Sequence, residues 1–282
     1  MKNLVILLAV ASFVCAMTVS AASPKDDYDE DPYLILCGEA DSAIAREDYP
    51  TAAARLREAI SIKPHSASNI LLMTNLGMVY SMMDSDATAL ATLDEAIAAY
   101  PDMKMARSNR ARVLLKMRRD KDAFAEYSEI LQLDSLDAES RYYHGLIALY
   151  SGNLQTAEND FKVLEQQEAK SIRTARALAT LYSLTERNSE AITYYEILIS
   201  AEDAPEYYAG LAGCLLHLQN LSEASATIAE GLEKYPSDPE LYYYRAWLNR
   251  DRYRLDDAHA DANKAIKLGA NPTRVNALFK KK

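Results

Sequence analysis

Apolar and small residues recur along the chain at the three- and four-residue intervals of amphipathic helices, and the whole arrangement returns after about 34 residues. Seven copies can be aligned, numbered here repeats 1 to 7. They begin at Tyr33, Ile70, Lys104, Ala138, Ile172, Pro205 and Pro239. Only 8 glycines and 9 prolines occur among the 282 residues. Helix is therefore predicted throughout the repeats.

Two columns of the aligned repeats hold small residues. Position 20 is alanine in every copy: Ala52, Ala89, Ala123, Ala157, Ala191, Ala224 and Ala258. Position 8 is always alanine or glycine: Ala40, Gly77, Ala111, Gly145, Ala179, Ala212 and Ala246. Small residues at both positions let two helix backbones approach closely, while larger side chains at position 24 fill the space beside them. Each repeat is therefore predicted to be a pair of helices joined by a tight turn, stacked on its neighbours because one such pair cannot bury its apolar faces.

Polar residues that can accept backbone N–H groups stand where the second helix of each repeat is expected to begin. They are Asp48, Asp86, Asp120, Asn153, Asn188, Ser222 and Asp256. We expect these side chains to cap the second helices.

Repeat 2 contains the full set of residues that carries a family resemblance. They are Met73, Leu76, Gly77, Tyr80, Ala89, Leu93, Ala96 and Pro101. Their spacing resembles the W-x2-L-G-x2-Y…A-x3-F…A…P pattern of the tetratricopeptide repeat (TPR) family, and the resemblance covers residues 33–270. It implies an all-α fold, a right-handed α-solenoid (superhelix) of stacked helix-turn-helix units. We expect seven repeats over residues 33–272, followed by a capping helix and basic tail over residues 273–282.

The N-terminus has the features of a secretory signal peptide. A single Lys2 precedes an apolar run from Leu4 to Met17, and small residues follow. Cleavage is expected after Ala21, which leaves an acidic, flexible linker over residues 22–32. The protein is therefore predicted to be exported, to the periplasm or cell envelope or as a secreted protein, with no membrane span after cleavage.

Charge and motif content exclude several classes of function. The net charge of -10 argues against nucleic-acid binding, which requires a basic surface. The 4 histidines fall in different repeats, and no metal-binding, nucleotide-binding or hydrolase motif is present. We therefore expect no enzyme activity, no metal and no cofactor. Cys37 and Cys214 are expected to be separate thiols, with a disulfide as the alternative.

The TPR resemblance implies that the first helices of the repeats line a concave groove and that roughly positions 2, 5, 9, 12 and 13 of each repeat face it. Nine residues on these helices are candidate partner-binding residues: Arg112, Lys116, Tyr142, Leu146, Tyr150, Arg173, Arg176, Tyr243 and Trp247. The first helices of repeats 3 to 5 hold four basic residues against one acid at the groove positions, so the hypothesis is that they bind an acidic and apolar segment of another protein. The alternative is that the apolar residues pack within the array and the basic residues are merely solvated.

Two functions remain open on the sequence. The leading hypothesis is a non-catalytic protein–protein interaction scaffold or adaptor of the cell envelope. The alternative is a glycan- or peptidoglycan-binding solenoid that uses its 19 tyrosines and Trp247 as platforms. The oligomeric state is also open, because Leu34, Ile35 and Leu36 at the start of repeat 1 offer a surface for a second chain.

Overall fold

The computed structural model describes residues 31–64, 66–168 and 171–280, and within these ranges the chain forms fifteen α-helices and no β-strand. In chain order the first seven are α1 (Pro32–Ala45), α2 (Tyr49–Ile62), α3 (Ser68–Met82), α4 (Asp86–Ala99), α5 (Lys104–Lys116), α6 (Asp120–Leu133) and α7 (Ala138–Tyr150). The others are α8 (Leu154–Gln167), α9 (Ile172–Leu184), α10 (Asn188–Ala201), α11 (Pro205–His217), α12 (Leu221–Lys234), α13 (Pro239–Asp251), α14 (Leu255–Lys267) and α15 (Pro272–Ala277). The predicted all-α architecture of helix pairs is confirmed. The predicted signal peptide and residues 22–30 of the predicted linker lie outside the described residues.

The helices form two compact units, which divide between Tyr150 and Ser151. In the first unit, α1 packs on α2, α3 on α4 and α5 on α6, and each pair contacts the helix that follows it. In the second unit, α9 and α10, α11 and α12, and α13 and α14 form pairs in the same way, with α8 against α9 and α15 against α14. Successive helix pairs thus stack within each unit as the repeat predicts.

The small-residue columns are buried in every repeat. All seven alanines at position 20 have 0% of their surface exposed. At position 8, the five alanines are at most 1% exposed, and both glycines are buried. The larger residues at position 24 fill the adjoining space: Leu56, Leu93, Tyr127, Phe161 and Ile228 are all at most 1% exposed. Dense packing around these columns accounts for their regularity along the sequence.

The turn inside every repeat contains one residue with a left-handed backbone at position 15. These residues are Glu47, Asp84, Arg118, Gly152, Glu186, Gln219 and Tyr253. In repeat 1, Asp48 N donates to Ala43 O at 2.9 Å and Glu47 N donates to Ile44 O at 2.9 Å, the hydrogen bonds of a Schellman motif. Six of the seven residues carry a side chain in a conformation that favours glycine.

Replacing Glu47 by glycine is expected to raise the free energy of unfolding by about 1 kcal/mol, because a left-handed backbone is unfavourable for a residue with a Cβ atom. Glu47 is exposed and its backbone φ is 59°. Urea denaturation followed by circular dichroism measures the change. The reciprocal control is Gly152→Ala at the same repeat position, where φ is 84° and the added Cβ would meet no atom within 4 Å. This variant should be less stable, and a stabilised Gly152→Ala would contradict the explanation.

The predicted helix caps are correct in two repeats and wrong in the other five, because the turn has a fixed length. Asp48 and Asn153 cap the second helices as predicted, by accepting from Thr51 N at 3.3 Å and from Thr156 N at 3.4 Å. The other five expected caps lie inside their helices, at the first position or the second: Asp86, Asp120, Asn188, Ser222 and Asp256. The cap always follows the left-handed residue directly, at repeat position 16, whatever residue stands there. The acids at the first or second helical position still interact favourably with the helix dipole.

Ion pairs join the two helices of three repeats at equivalent positions, 7 and 23. Glu39 pairs with Arg55 in repeat 1, with Arg55 Nε and Glu39 Oε2 2.8 Å apart. Repeats 3 and 7 have the opposite polarity, with Arg110 paired to Glu126 and Arg245 paired to Asp261. Glu126 and Asp261 are each only 7% exposed.

The short helix α15 packs on the last repeat. Val275 and Leu278 are 1% and 8% exposed within the apolar cluster of repeats 6 and 7. The rings of His259 and Phe279 stack with their centroids 4.1 Å apart, so His259 is held by a packing contact. At the other end of the described chain, Leu34 and Ile35 are 42% and 46% exposed, whereas Leu36 is buried in the core of repeat 1 and is unavailable to a second chain.

Candidate partner-binding site

Five of the nine candidate residues belong to the first unit. Arg112 and Lys116 lie on α5, and Tyr142, Leu146 and Tyr150 lie on α7. Tyr150 is 51% exposed, whereas Arg112, Tyr142 and Leu146 are half-buried. An exposed aromatic ring at the end of α7 is the type of residue that anchors protein interfaces.

Lys116 already has partners within the chain. Its Nζ donates to Ser81 O at 2.6 Å and lies 2.8 Å from Asp84 Oδ1 and 2.9 Å from Asp86 Oδ1. Partial burial opposes the charged form, but the hydrogen bonds to the two aspartates outweigh it and raise the pKa of Lys116. Lys116 therefore joins α5 to the turn of the preceding repeat.

The two candidate arginines of the second unit are also paired internally. Arg173 Nη2 lies 2.7 Å from Glu168 Oε1. Arg176 Nη2 lies 2.7 Å from Glu202 Oε2 and donates to the Tyr207 hydroxyl at 2.7 Å. The positive charge expected on the first helices of repeats 3 to 5 is thus largely compensated by acids that stand outside those helices.

The remaining candidates, Tyr243 and Trp247, line a cavity of about 900 Å³ in the second unit. Leu216 and His217 at the end of α11 form one wall, and α13 contributes the two aromatic residues. We call this space the Trp247 cavity. Tyr243 is 7% exposed and stands mostly behind the cavity wall, whereas Trp247 is half-buried and presents a larger part of its ring.

Hydrogen bonds fix the orientation of Trp247. Its Nε1 donates to Asp251 Oδ2 at 2.9 Å. Asp251 Oδ1 in turn accepts from Arg250 Nε at 2.8 Å, and Arg250 Nη1 donates to Leu278 O at 3.0 Å. The His217 ring meets the indole edge to face, with centroids 4.9 Å apart. The indole is therefore held in place from both sides before any ligand arrives.

A second cation on α15 supports the aromatic wall. The guanidinium carbon of Arg274 lies 4.0 Å from the centroid of the Tyr243 ring, a cation–π contact, and Arg274 Nη2 donates to the Tyr244 hydroxyl at 3.2 Å. Burial raises the pKa of Tyr244 to about 12. The helices α11 and α13 approach closely here, since Gly213 has no side chain. A Cβ atom at this position would stand only 2.9 Å from the Tyr244 hydroxyl oxygen.

His217 and Arg274 also line this cavity, and neither is among the candidates predicted from the sequence. His217 stands at repeat position 13, one of the positions expected to face the groove, so its position alone could have identified it. Arg274 lies on α15, outside the periodic columns, and no sequence signal placed it beside Tyr243.

The described residues contain no group of three or more histidine, cysteine or acidic side chains placed to hold a metal ion. In the same ranges, none of the helices combines the length and apolar character needed to cross a membrane. Cys37 and Cys214 are both free thiols, and burial raises the pKa of each.

Comparisons with known proteins agree with the helix-pair architecture. The family model for tetratricopeptide repeats matches residues 87–138 and 176–239. A tetratricopeptide repeat protein from Parabacteroides merdae is 23% identical, with a TM-score of 0.62, over 88% of this chain and 97% of that one. YrrB, described as a TPR protein with an unusual peptide-binding site, is 19% identical, with a TM-score of 0.57, over 66% of this chain and 96% of its own.

A third similar structure is PilW, described as a widely conserved type IV pilus biogenesis factor. It is 18% identical, with a TM-score of 0.59, over 74% of this chain and 96% of its own. No curated protein matches the chain in sequence. The matched family model, the similar structures and the stacked helix pairs agree that the chain contains tetratricopeptide repeats and has the fold of a tetratricopeptide repeat protein.

Proposed function

We propose that the protein is a non-catalytic interaction scaffold that binds a segment of a partner protein on the first helices of its repeats. The TPR fold itself supports a scaffold for protein–protein interaction, and the similar protein YrrB is described as having a peptide-binding site. The observation that carries the proposal is the Trp247 cavity, where a tryptophan held by hydrogen bonds lines an open space of about 900 Å³. A preformed site of this kind loses little conformational freedom on binding.

The proposed contact residues are the nine candidates from the sequence, taken unit by unit. Arg112, Lys116, Tyr142, Leu146 and Tyr150 serve in the first unit, and Arg173, Arg176, Tyr243 and Trp247 serve in the second. Lys116, Arg173 and Arg176, which pair with residues of the chain itself, act mainly by fixing the positions of the helices that carry the other contacts. The half-buried Arg112 and the exposed Tyr150 are the best-placed contacts in the first unit.

The proposed place of action is the cell envelope. Support comes from the sequence features of residues 1–21, and from the similarity in fold to PilW. The scaffold would assemble with other envelope components and contribute no chemistry of its own.

Capture of a partner from native cells is the test. The full chain with an affinity tag is expressed in its own host, cross-linked and purified, and the captured proteins are identified by mass spectrometry. A defined protein should be retained by the wild type and reduced at least about tenfold by the pair Arg112→Glu and Tyr150→Ala. Lys121→Glu, an exposed charge reversal on the second helix α6, is the matched control and should retain the partner.

Two results would contradict the proposal. Capture of no protein under any condition would remove the scaffold function. Retention of the wild type on insoluble peptidoglycan, with no protein captured, would instead support the glycan-binding alternative.

A further inference from the structure

We propose that the outer face of α1 binds a second copy of this chain, through an antiparallel contact between the two α1 helices. The face consists of Ile35, Gly38 and Ser42, at positions 3, 6 and 10 of repeat 1, and we call it the α1 face. The inference goes beyond the scaffold function, because it concerns how copies of the protein assemble. A dimer would present two sets of partner-binding residues in one particle.

The α1 face is the stacking surface that every later repeat buries. Ile35 is 46% exposed, whereas the residues at position 3 of repeats 2 to 7 are at most 8% exposed: Leu72, Ala106, Ser140, Thr174, Tyr207 and Leu241. Ser42 is exposed, whereas the residues at position 10 of the same repeats are at most 5% exposed: Val79, Val113, Ile147, Leu181, Cys214 and Leu248. In those repeats the second helix of the preceding repeat packs on the first helix. No described residue covers the α1 face, so a surface continuous with the stacking of the repeats is left open.

Gly38 indicates that another group approaches this face closely. It lies in the middle of α1, and an added Cβ atom would meet no atom within 4 Å. Four other glycines lie within helices: Gly77, Gly210, Gly213 and Gly231. At each of them an added Cβ would stand at most 2.9 Å from a side-chain atom of a neighbouring helix. Gly210 occupies the same repeat position as Gly38, and the side chain against it is Tyr195 of the preceding repeat. Since glycine is unfavourable inside a helix, Gly38 is explained by an approach from outside the described residues.

A second copy fits this face because the exposed residues of α1 are complementary in size to themselves. Leu34 and Ile35 in the N-terminal half are large and apolar, and Ser42 and Ala45 in the C-terminal half are small and exposed. When two α1 helices lie antiparallel, the large end of each packs on the small end of the other, with Ile35 opposite Ser42. The two Gly38 residues then lie near the two-fold axis, where the backbones approach most closely.

The charges at the ends of α1 favour this orientation. Asp31 caps the start of the helix, and Arg46 caps its end. Arg46 is exposed and makes no ion pair with any described residue. Asp31 already pairs with Lys63, but its side chain remains 35% exposed. An antiparallel contact brings the acid of one copy towards the base of the other, whereas a parallel contact would place like ends together.

The last repeat does not offer α1 an alternative place to dock. The short helix α15 stands where the first helix of an eighth repeat would begin, with Val275 and Leu278 at positions 3 and 6. These residues are 1% and 8% exposed, and α15 packs on α14. The surface that could receive α1 of another copy is therefore occupied. A closed dimer through the two α1 faces is the arrangement that remains.

Self-association of the full chain, purified from its own host, is measured by sedimentation velocity from about 1 to about 200 μM. We expect an equilibrium between monomer and dimer with a dissociation constant of about 10 μM. Gly38→Arg should raise this constant at least about tenfold, because it places a bulky charge at the centre of the contact. Ile35→Ser should weaken the dimer in the same direction, because it removes apolar area from the interface.

The matched control is Ala54→Arg, which introduces the same side chain on α2 of the same repeat. Position 22, where Ala54 lies, is exposed in all seven repeats and therefore takes no part in stacking. The dissociation constant of this variant should be unchanged. Circular dichroism at about 1 μM, where the chain is mostly monomeric, checks that every variant keeps its helix content.

Cysteine cross-linking tests the orientation of the two helices. A chain with Ile35→Cys is mixed with a chain with Ser42→Cys, and both also carry Cys37→Ser. Cys214 is 3% exposed and does not react. Under mild oxidation the mixture should form linked dimers at least about fivefold faster than either chain alone, because like positions lie too far apart for a disulfide in the antiparallel contact.

Three results would overturn the inference: a monomer at every concentration, a dimer that Gly38→Arg leaves intact, and cross-linking of like positions as fast as the mixture. If the chain is monomeric and Gly38→Arg abolishes capture of the protein that the wild type retains, the α1 face binds that protein and not a second copy. Failure here is separable from failure of the scaffold function, because capture of a partner is measured independently of self-association.

Discussion

Replacing Glu126 by alanine is expected to lower the free energy of unfolding by about 3 kcal/mol, because the change leaves two arginines without their buried counter-ion. Glu126 lies on α6 and is 7% exposed. Its carboxylate pairs with Arg110 and with Arg107, whose Nη1 lies 3.1 Å from Glu126 Oε2. Arg110 keeps an exposed partner in Asp94, whereas the Arg107 side chain is only 17% exposed, so water replaces little of the interaction that Arg107 loses.

Glu129→Ala is the matched control for this prediction, because it makes the same change on the exposed face of the same helix. Its effect should stay within about 0.5 kcal/mol. Urea denaturation followed by circular dichroism gives both values. If Glu126→Ala and Glu129→Ala cost the same, the buried ion pair contributes nothing beyond an ordinary surface charge.

The fold was predictable because its closest contacts repeat along the sequence. Ala52 and its six equivalents show no exposed surface, and the column of alanines at position 20 was visible without any structure. The cap positions were less predictable, because the turn has a fixed length whereas the polar residues near it stand at different repeat positions. Asp86 and Asp256 therefore lie inside helices whose caps are Ser85 and Arg254.

The ion pairs between positions 7 and 23 are visible in the sequence only when two columns are compared with each other. Positions 7 and 23 hold glutamate and arginine in repeat 1, and arginine with an acid in repeats 3 and 7. The acid stands at position 7 in the Glu39–Arg55 pair and at position 23 in the Arg245–Asp261 pair. Two side chains that face each other can form an ion pair with the negative charge on either one. A comparison of column pairs across repeats, in addition to single columns, would have predicted this contact.

The candidate site was less predictable, because its charges depend on residues outside the columns. The sequence pattern predicts that Arg173 and Arg176 are available to a partner. In the structure they pair with Glu168 and Glu202, which lie just beyond the ends of α8 and α10. Arg274 reaches Tyr243 from a terminal helix with no equivalent in the other repeats. Periodicity identifies the residues that pack against each other, whereas the free charge of a surface depends on every neighbour that folding brings to it.

Replacing Gly77 by valine is expected to destabilise the protein by about 3 kcal/mol, because the core of repeat 2 has no space for the side chain. A Cβ atom at Gly77 would stand 2.6 Å from Leu93 Cγ and 2.8 Å from Leu93 Cδ2. Leu93 is 0% exposed, so its side chain cannot move into solvent to make room. Repeat 1 has Ala40 and Leu56 at the equivalent positions, so a single methyl group can be accommodated by adjustment of the helices, whereas the two further methyl groups of valine cannot.

The matched control is Gly38→Val on α1, where an added Cβ meets no atom within 4 Å. This exposed change should be neutral or stabilising by a few tenths of a kcal/mol, roughly the difference in helix propensity between glycine and valine. Both variants share that gain in propensity, so the difference between them measures the steric cost at Gly77 alone. Equal stability of the two variants in urea would mean that α3 and α4 can move apart at no cost. The glycine at position 8 of repeat 2 would then reflect something other than close approach of the two helices.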